Sequence, residues 1–329
     1  MRKTINFGCW DYDRMAPIMD GRVRPQGIDL NFLNMPVEET FFRMLRNQEF
    51  EASELSLSSY VVSLHKPERP FVAIPVFPSR FFRHSSIYVN ADSGIDRPED
   101  LVGKRVGCPE YQMTAPVWIR GILSDDFGVN VDSVTYYTGG EEEPNRSEKL
   151  KLDLPDNIKV VPIGPDKTLS QMLHDGEIDA LYTARKPSTY SGPNGKVRRL
   201  FENFPEVEKA YFARTGIFPI MHTVGIRRAD YEADPWICQS LLKAFSEAKD
   251  ITMQSLSETA ALKAMLPWAA AHFEEAQATL GPDYWPYGFD RNRETIATFL
   301  RYSHEQGLSP RILEPEEIFA KETLEAFVI

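Results

Sequence analysis

The chain is poor in cysteine and in positive charge. It has three cysteines in 329 residues (Cys9, Cys108 and Cys238), far apart and with neither a CxxC pair nor the Cys/His spacing of a metal site. We therefore expect reduced, buried thiols rather than a disulfide framework or a zinc module. Lys and Arg number 37 against 48 Asp and Glu, a net charge of −11. This negative surplus repels phosphate backbones and argues against a nucleic-acid partner.

Long apolar runs are also lacking. No stretch approaches the roughly 18 consecutive apolar residues that a membrane-spanning helix needs, so we expect no membrane partner. The N-terminus reaches Asp11 and Asp13 before any apolar run long enough for a signal peptide, so we expect a cytoplasmic protein. The chain contains no GxGxxG, Walker or GxSxG motif, which excludes the usual nucleotide-binding and hydrolase interpretations.

What is present is an alternation of strand-like and helical segments. Apolar segments of strand length occur at 5–10, 28–33, 52–55, 72–77, 105–108, 134–137, 158–162, 180–182 and 223–226. Helical patterns occur at 36–47, 59–65, 114–127, 168–174, 235–256, 268–280, 291–306 and 315–327. This order predicts an α/β protein with mostly parallel sheets covered by helices.

The alternation falls into two groups, the second inserted in the first. We predict a two-lobed α/β fold in which residues 1–90 and 222–329 form lobe 1 and residues 91–221 form lobe 2, with the C-terminal helices packing on lobe 1. Ligands of open α/β sheets bind beside the carboxyl ends of the strands. We therefore expect the active site in the cleft between the lobes.

Several motifs resemble known families. Leu101–Gly107 (LVGKRVG) and Gly176–Ala180 (GEIDA) resemble type II periplasmic solute-binding proteins. A narrower resemblance, to the 4,5-dihydroxyphthalate decarboxylase family, rests on the motifs WDYDR (10–14), RFFRHSSIYV (80–89), TAPVWIRG (114–121), PIMHTV (219–224) and WPYG (285–288). It spans nearly the whole chain. It implies a type II periplasmic-binding-protein-like fold and a cytoplasmic carboxy-lyase of aromatic catabolism, which releases CO2 from 4,5-dihydroxyphthalate to give protocatechuate.

Arginines are the candidate substrate ligands. Arg80 and Arg83 bracket two phenylalanines, and guanidinium groups bind carboxylates in bidentate fashion. The alternative is that both only pair with surface acids. Arg14 and Arg185 follow predicted strands, and Thr114 begins a predicted helix whose backbone N–H groups could help to hold an anion. These five residues are the predicted substrate-binding set.

The predicted catalytic residues are His84, His222 and Glu54. An imidazole with a pKa near ~6.5 suits proton transfer at neutral pH, although His222, a lone histidine at the start of a strand, could equally be structural. Glu54 ends a predicted strand. It could orient a histidine, act as an alternative base or only cap the next helix. Which residue is acid and which is base stays open. We interpret the consecutive glutamates 141–143 as a solvated loop.

We expect acid/base catalysis without a cofactor. A divalent metal held by Glu54, His84 and His222 is the open alternative, although their spacing matches no ligand signature. The partner is expected to be a small aromatic dicarboxylate, and its identity beyond the family substrate stays open. The competing function is a solute-binding protein that captures an aromatic or dicarboxylic ligand without turnover. A homo-oligomer is a further alternative, because the apolar residues of the C-terminal helices could serve a dimer as well as the core.

Overall fold

In the computed structural model, which describes residues 2–325, the chain divides into two compact units. The first comprises the residues up to Arg80, Ile220–Ile296 and those from Glu314 on, and the second comprises Phe81–Pro219 and Ala297–Leu313. Residues 81–90 and 297–313, both expected in lobe 1, thus group with the second unit. Residues 326–329, which end the predicted lobe 1 and include the end of the predicted helix 315–327, lie outside the described residues.

The elements are as follows. The strands are β1 (Lys3–Cys9), β2 (Ile28–Asn34), β3 (Ala52–Ser56), β4 (Phe71–Ile74), β5 (Ile87–Asn90), β6 (Arg105–Cys108), β7 (Thr135–Thr138), β8 (Lys159–Pro162), β9 (Ala180–Tyr182), β10 (Val197–Arg199) and β11 (His222–Arg227). The helices are α1 (Ala16–Met19), α2 (Val37–Asn47), α3 (Leu57–Ser63), α4 (Thr114–Phe127), α5 (Leu169–Asp175), α6 (Phe204–Thr215), α7 (Arg228–Ala233), α8 (Trp236–Leu256), α9 (Ala269–Leu280) and α10 (Arg293–Glu305). Within the described part of the chain, no helix is both long and apolar enough to cross a bilayer.

The sheet of the first unit has the order β2-β1-β3-β11-β4. Strand β1 is parallel to β2 and β3, whereas β11 is antiparallel to β3 and β4. Because β11 runs the opposite way, it begins at the edge where β1 and β3 end. The fully buried strand β3 lies at the centre of this sheet.

Helices α2 and α8 supply apolar faces to the core of this unit. The 3.6-residue period of α2 buries Phe41, Met44 and Leu45, and its last turn closes on Gln48 in the left-handed conformation. On α8, Phe245 is buried with its ring 5.0 Å from that of Phe7 in β1. Each such buried side chain contributes about 1.5–3 kcal/mol through the hydrophobic effect.

The sheet of the second unit has the order β10-β5-β9-β6-β7-β8. The strands β9, β6, β7 and β8 are parallel, while β5 is antiparallel to β9 and β10. The carboxyl ends of the parallel strands therefore share one edge, as ligand-binding α/β sheets require. Helix α4 is buried over Thr114–Leu123, and Trp118 packs its ring against those of Phe299 and Tyr302.

Most predicted elements have observed counterparts, and α4 has the predicted bounds. The predicted helix over 315–327 is wrong across its described residues, where short 3-10 helices lie at Pro315–Ile318 and Lys321–Thr323. Strand β10 was not predicted, because three residues with two arginines carry no apolar alternation.

Gly121 in α4 provides a test of this packing. A Cβ atom at Gly121 would collide with the ring of Tyr302, which is itself buried. Gly121→Ala should therefore lower the free energy of unfolding by about 1–3 kcal/mol, measured by urea denaturation. Gly164→Ala is the matched control, because its Cβ would meet only the side chain of Lys167 at 4.0 Å. Equal stability of the two variants would contradict the packing described here.

Candidate functional site

A buried carboxylate and an imidazole meet at the carboxyl edge of the first unit's sheet. Glu54 lies in β3 with 0% exposure. In the β3–β11 ladder His222 is opposite Ser56 and Val224 is opposite Glu54, so Glu54 and His222 are diagonal neighbours on one face. His222 Nδ1 lies 2.6 Å from Glu54 Oε1. A buried charge needs such a partner, because desolvating it alone is costly.

Glu54 has further hydrogen-bond donors from the loop after β1. The Tyr12 hydroxyl donates to Oε1 at 2.7 Å, and the Trp10 backbone N–H donates to Oε2 at 3.4 Å. The Cys9 thiol makes a weaker contact with Oε2 at 3.5 Å. Burial raises the pKa of Glu54, but protonated His222 and the hydrogen bonds from His222, Tyr12 and Trp10 lower it further than burial raises it. The net shift is downward, so Glu54 is ionised at neutral pH.

The Glu54 carboxylate fixes the orientation of His222. A carboxylate only accepts hydrogen bonds, so Nδ1 of His222 carries the hydrogen. The ring of Phe41 meets the imidazole edge-on at 4.8 Å, and the His222 side chain is 16% exposed. Among the described residues, Nε2 of His222 makes no hydrogen bond. His222 therefore has one nitrogen fixed and the other available to a ligand.

Arg14 lies beside this pair with its guanidinium held between two rings. The guanidinium carbon is 4.1 Å from the centre of the Tyr12 ring and 4.5 Å from that of Trp285. Its Nε donates to Pro78 O at 2.5 Å, and Nη1 donates to Asp13 Oδ1 at 3.0 Å. Nη2 makes no hydrogen bond within residues 2–325, and the side chain is 16% exposed. A fixed guanidinium with an available nitrogen is suited to a carboxylate.

Arg80, also in the first unit, is more deeply buried. Its Nη2 donates to Pro286 O at 2.9 Å and to Asn292 Oδ1, and its guanidinium lies 5.3 Å from the ring centre of Phe77. Burial lowers the pKa of Arg80 to about 9, which leaves it charged at neutral pH. These bonds tie the 286–292 segment to the chain after β4. They give Arg80 a structural role, and its predicted role in substrate binding stays a prediction.

The other predicted residues belong to the second unit. His84 is buried with the rings of Phe201 and Tyr211 at 5.4 and 5.2 Å. Burial, with a smaller contribution from the charge of Arg214, lowers the pKa of His84 to about 4, so its imidazole is neutral at pH 7. Arg83 is buried as well, and its Nη1 donates to Ala184 O at 3.3 Å. Burial lowers the pKa of Arg83 to about 9.

Thr114 and Arg185 follow strands of the second sheet. Thr114 begins α4 shortly after β6, and the exposed Arg185 follows β9, with its backbone N–H donating to Thr183 Oγ1 at 3.1 Å. Both therefore lie beyond the carboxyl ends of parallel strands. Their predicted roles in substrate binding, like those of Arg83 and His84, stay predictions.

Sequence reasoning missed two residues. The sequence shows that Tyr12 follows a strand. It does not show that this strand lies beside β3. Glu141 was interpreted as part of a solvated loop, and that is wrong: it is 8% exposed, with Oε2 accepting a hydrogen bond from Thr183. Its buried Oε1 has no hydrogen-bond partner among the described residues. Burial raises the pKa of Glu141 to about 7.

The described residues form no preformed metal site. Across residues 2–325, no group of three or more His, Cys, Asp or Glu side chains is arranged to hold a metal ion. Of the three residues named as alternative metal ligands, Glu54 and His222 are paired in the first unit, and His84 lies in the second.

Comparison with known proteins identifies the fold and the relatives of this chain. The periplasmic aliphatic sulphonate binding protein of Escherichia coli superposes with a TM-score of 0.52 at 14% identity, covering 98% of this chain and 99% of that one. The chain thus has a periplasmic-binding-protein-like fold, and the predicted fold class is confirmed. The 4,5-dihydroxyphthalate decarboxylase of Comamonas testosteroni is 43% identical over 325 residues, 99% of this chain and 98% of the relative. That of Pseudomonas putida is 45% identical over 200 residues, 61% of this chain and 78% of the relative.

The chain belongs to the 4,5-dihydroxyphthalate decarboxylase family, as its motifs predicted. A search against protein-family models gave no match.

The buried carboxyl of Glu141 predicts a pH-dependent stability. Its folded pKa, raised from 4.5 to about 7, disfavours the ionised form, so stability present below about pH 4.5 is lost as the pH rises towards 7. Glu141→Gln removes this charge and should be more stable than the wild type at pH 8 by about 3 kcal/mol, but not at pH 4.5. Urea denaturation at both pH values measures the difference. Glu143→Gln, on the exposed part of the same loop, is the control, and a pH-independent difference for Glu141→Gln would contradict the assignment.

Proposed function

We propose that this protein decarboxylates a dihydroxylated aromatic dicarboxylate, with 4,5-dihydroxyphthalate converted to protocatechuate and CO2 as the first candidate reaction. The named relatives, one of them aligned over 99% of the chain, confirm the predicted enzyme class, a carboxy-lyase, and do not favour capture without turnover. The observation that carries the chemical part of the proposal is the hydrogen bond between Glu54 and His222. The reaction would belong to aromatic catabolism, in the degradation of phthalates.

The reaction needs one proton delivered to the ring. A hydroxyl para to the departing carboxylate can push electron density onto the carbon that bears it. That carbon takes up a proton, its bond to the carboxyl carbon breaks, and the electron pair of that bond restores the aromatic ring as CO2 leaves. An acid close to the ring carbon and a base close to the hydroxyl are therefore sufficient, with no redox change.

His222 is suited to be the acid. Glu54 holds Nδ1 and stabilises the imidazolium, so Nε2 can present its hydrogen to the ring carbon. Glu54 itself accepts hydrogen bonds on both oxygens, which suits an orienting carboxylate better than a base. His84 is neutral at pH 7 and so has no imidazolium proton to donate there; it stays the predicted second member of the proton-transfer pair.

Arg14 is suited to hold the carboxylate that remains. Its guanidinium is fixed by two rings and two hydrogen bonds, and so it pays little conformational entropy on binding. Such a local cation counters the repulsion between a chain of net charge −11 and a dianion. Arg83, Thr114 and Arg185 are proposed as further substrate ligands, and Arg80 as a support of the 286–292 segment.

Two further predictions remain proposals. A cytoplasmic location is supported by the three free, buried cysteines, which match a reducing compartment. A homo-oligomer is supported by the exposed Met265 and Trp268 that precede α9.

Replacing His222 tests the proposed function most directly. His222→Ala should lower kcat for 4,5-dihydroxyphthalate by ~10²-fold or more, because the proton donor is lost. Glu54→Gln should also lower kcat, because a neutral amide stabilises the imidazolium less. Protocatechuate formation and CO2 release measure the rate, and His272→Gln, an exposed histidine of the same unit, is the control. Full activity in His222→Ala would overturn its role, and wild-type binding without turnover would favour the solute-binding alternative.

Arg14 should act mainly on binding. Arg14→Gln should raise KM by roughly tenfold or more with a smaller change in kcat, because a charge-assisted hydrogen bond contributes about 1.5–3 kcal/mol. Arg22→Gln, an exposed arginine paired with Asp20, is the matched control and should leave KM unchanged. The role of Arg14 would be refuted if its variant kept the wild-type KM.

A further inference from the structure

Two donors share one oxygen of Glu54. The Tyr12 hydroxyl lies 2.7 Å from Oε1 and His222 Nδ1 lies 2.6 Å from the same atom. Within residues 2–325 the other oxygen, Oε2, has only the longer contacts from the Trp10 N–H at 3.4 Å and the Cys9 thiol at 3.5 Å. Tyr12 and His222 therefore compete for the negative charge on the oxygen that holds the imidazole.

Tyr12 is fixed in this position by its neighbours. The guanidinium of Arg14 lies 4.1 Å from the centre of its ring, and the ring of Trp10 meets it edge-on at 5.7 Å. Burial, together with the adjacent Glu54 charge, raises the pKa of Tyr12 far above its usual value. Its hydroxyl therefore keeps its proton at all working pH values, and towards a carboxylate it can only donate.

We propose that Tyr12 is a positioning residue for the reaction, whose hydroxyl withdraws charge from Glu54 Oε1 and so limits how tightly Glu54 holds the proton on His222. The inference rests on the proposed function only in making His222 the proton donor. A carboxylate with one donor fewer would bind the imidazolium more strongly and release its proton less readily. Tyr12 would thus keep His222 acidic enough to transfer a proton to carbon.

The titratable and charged groups coupled to the pair come from several elements, and Asp13 is paired with Arg14 beside them. Besides one another, Glu54, Tyr12 and Cys9 interact electrostatically with His222, Arg14 and Tyr287. Phe41, which packs against the imidazole, carries no charge. The Tyr12 hydroxyl is a neutral donor to Oε1, so its removal changes the field at that oxygen without removing a formal charge.

Tyr12→Phe in the full chain is the first experiment. The ring and its contact with Arg14 are kept, so KM should stay within about twofold, while kcat should fall several-fold at neutral pH. The pKa of His222, measured by NMR titration without substrate, should rise by about half a unit to one unit, the size of one neutral hydrogen bond. The pH profile of kcat should shift in the same direction. An unchanged or lowered pKa of His222 would overturn the proposal.

Tyr60→Phe is the matched control. Tyr60 is a buried tyrosine of the same unit whose hydroxyl donates to Ile318 O and accepts from Ala73 N–H. Its loss should lower stability but leave the pKa of His222 where it is. If Tyr60→Phe shifted that pKa as much as Tyr12→Phe, the effect would be general loosening and the proposal would fail.

A second variant should shift the pKa of His222 in the opposite direction. Site-specific 3,5-difluorotyrosine at position 12 keeps the shape of the residue and makes its hydroxyl a stronger donor, so the pKa of His222 should fall. A rise would contradict the proposal even if Tyr12→Phe did not fold. Because the titration needs no substrate, a protein that shifts as expected but does not decarboxylate would refute the proposed function and leave the Tyr12–Glu54–His222 coupling standing.

Discussion

The first unit depends on how it neutralises the buried charge of Glu54. A carboxylate with no exposure, at the centre of a sheet, is stable only if cations and donors surround it. β1 leads into a loop that brings Tyr12 and the Trp10 N–H, and β11 brings His222, so the two strands that flank β3 each supply part of the neutralisation. The strand order β1-β3-β11 is therefore needed both to stabilise the buried Glu54 and to build the site.

The arginines Arg80 and Arg14 are likewise held by specific neighbours. Arg80 is shielded and bonded to Pro286 and Asn292, and it secures the segment that carries Trp285. Trp285 in turn covers Arg14 and donates its own Nε1–H to Phe77 O at 2.9 Å. One arginine therefore supports the backbone that holds another in place. A strongly acidic chain can in this way keep a positive group at a chosen point without a broad basic surface.

Local patterns in the sequence were enough for most of the fold and for part of the site. The apolar period of α2, the start of α4 at Thr114 and the short buried strands could be predicted, because each is set by neighbouring residues. Glu54, His222 and Arg14 could be named because each lies near the end or the start of a predicted strand. Their mutual distances could not be predicted, since these depend on β11 returning antiparallel between β3 and β4. Glu141 shows the opposite limit: three adjacent glutamates indicate a solvated loop, yet the fold buries the first of them beside Thr183.

The place of β11 in the sheet also governs the order in which the chain can fold. β11 lies between β3 and β4, but 168 residues of sequence separate Glu54 from His222, and the bulk of the second unit is synthesised in between. During translation β3 and β4 are synthesised long before β11, the strand that lies between them. Glu54 therefore stays hydrated until residue 222 leaves the ribosome. Contacts of such long sequence separation close slowly. The nascent first unit therefore presents an incomplete sheet for much of its synthesis, and unpaired strand edges of this kind are prone to aggregate.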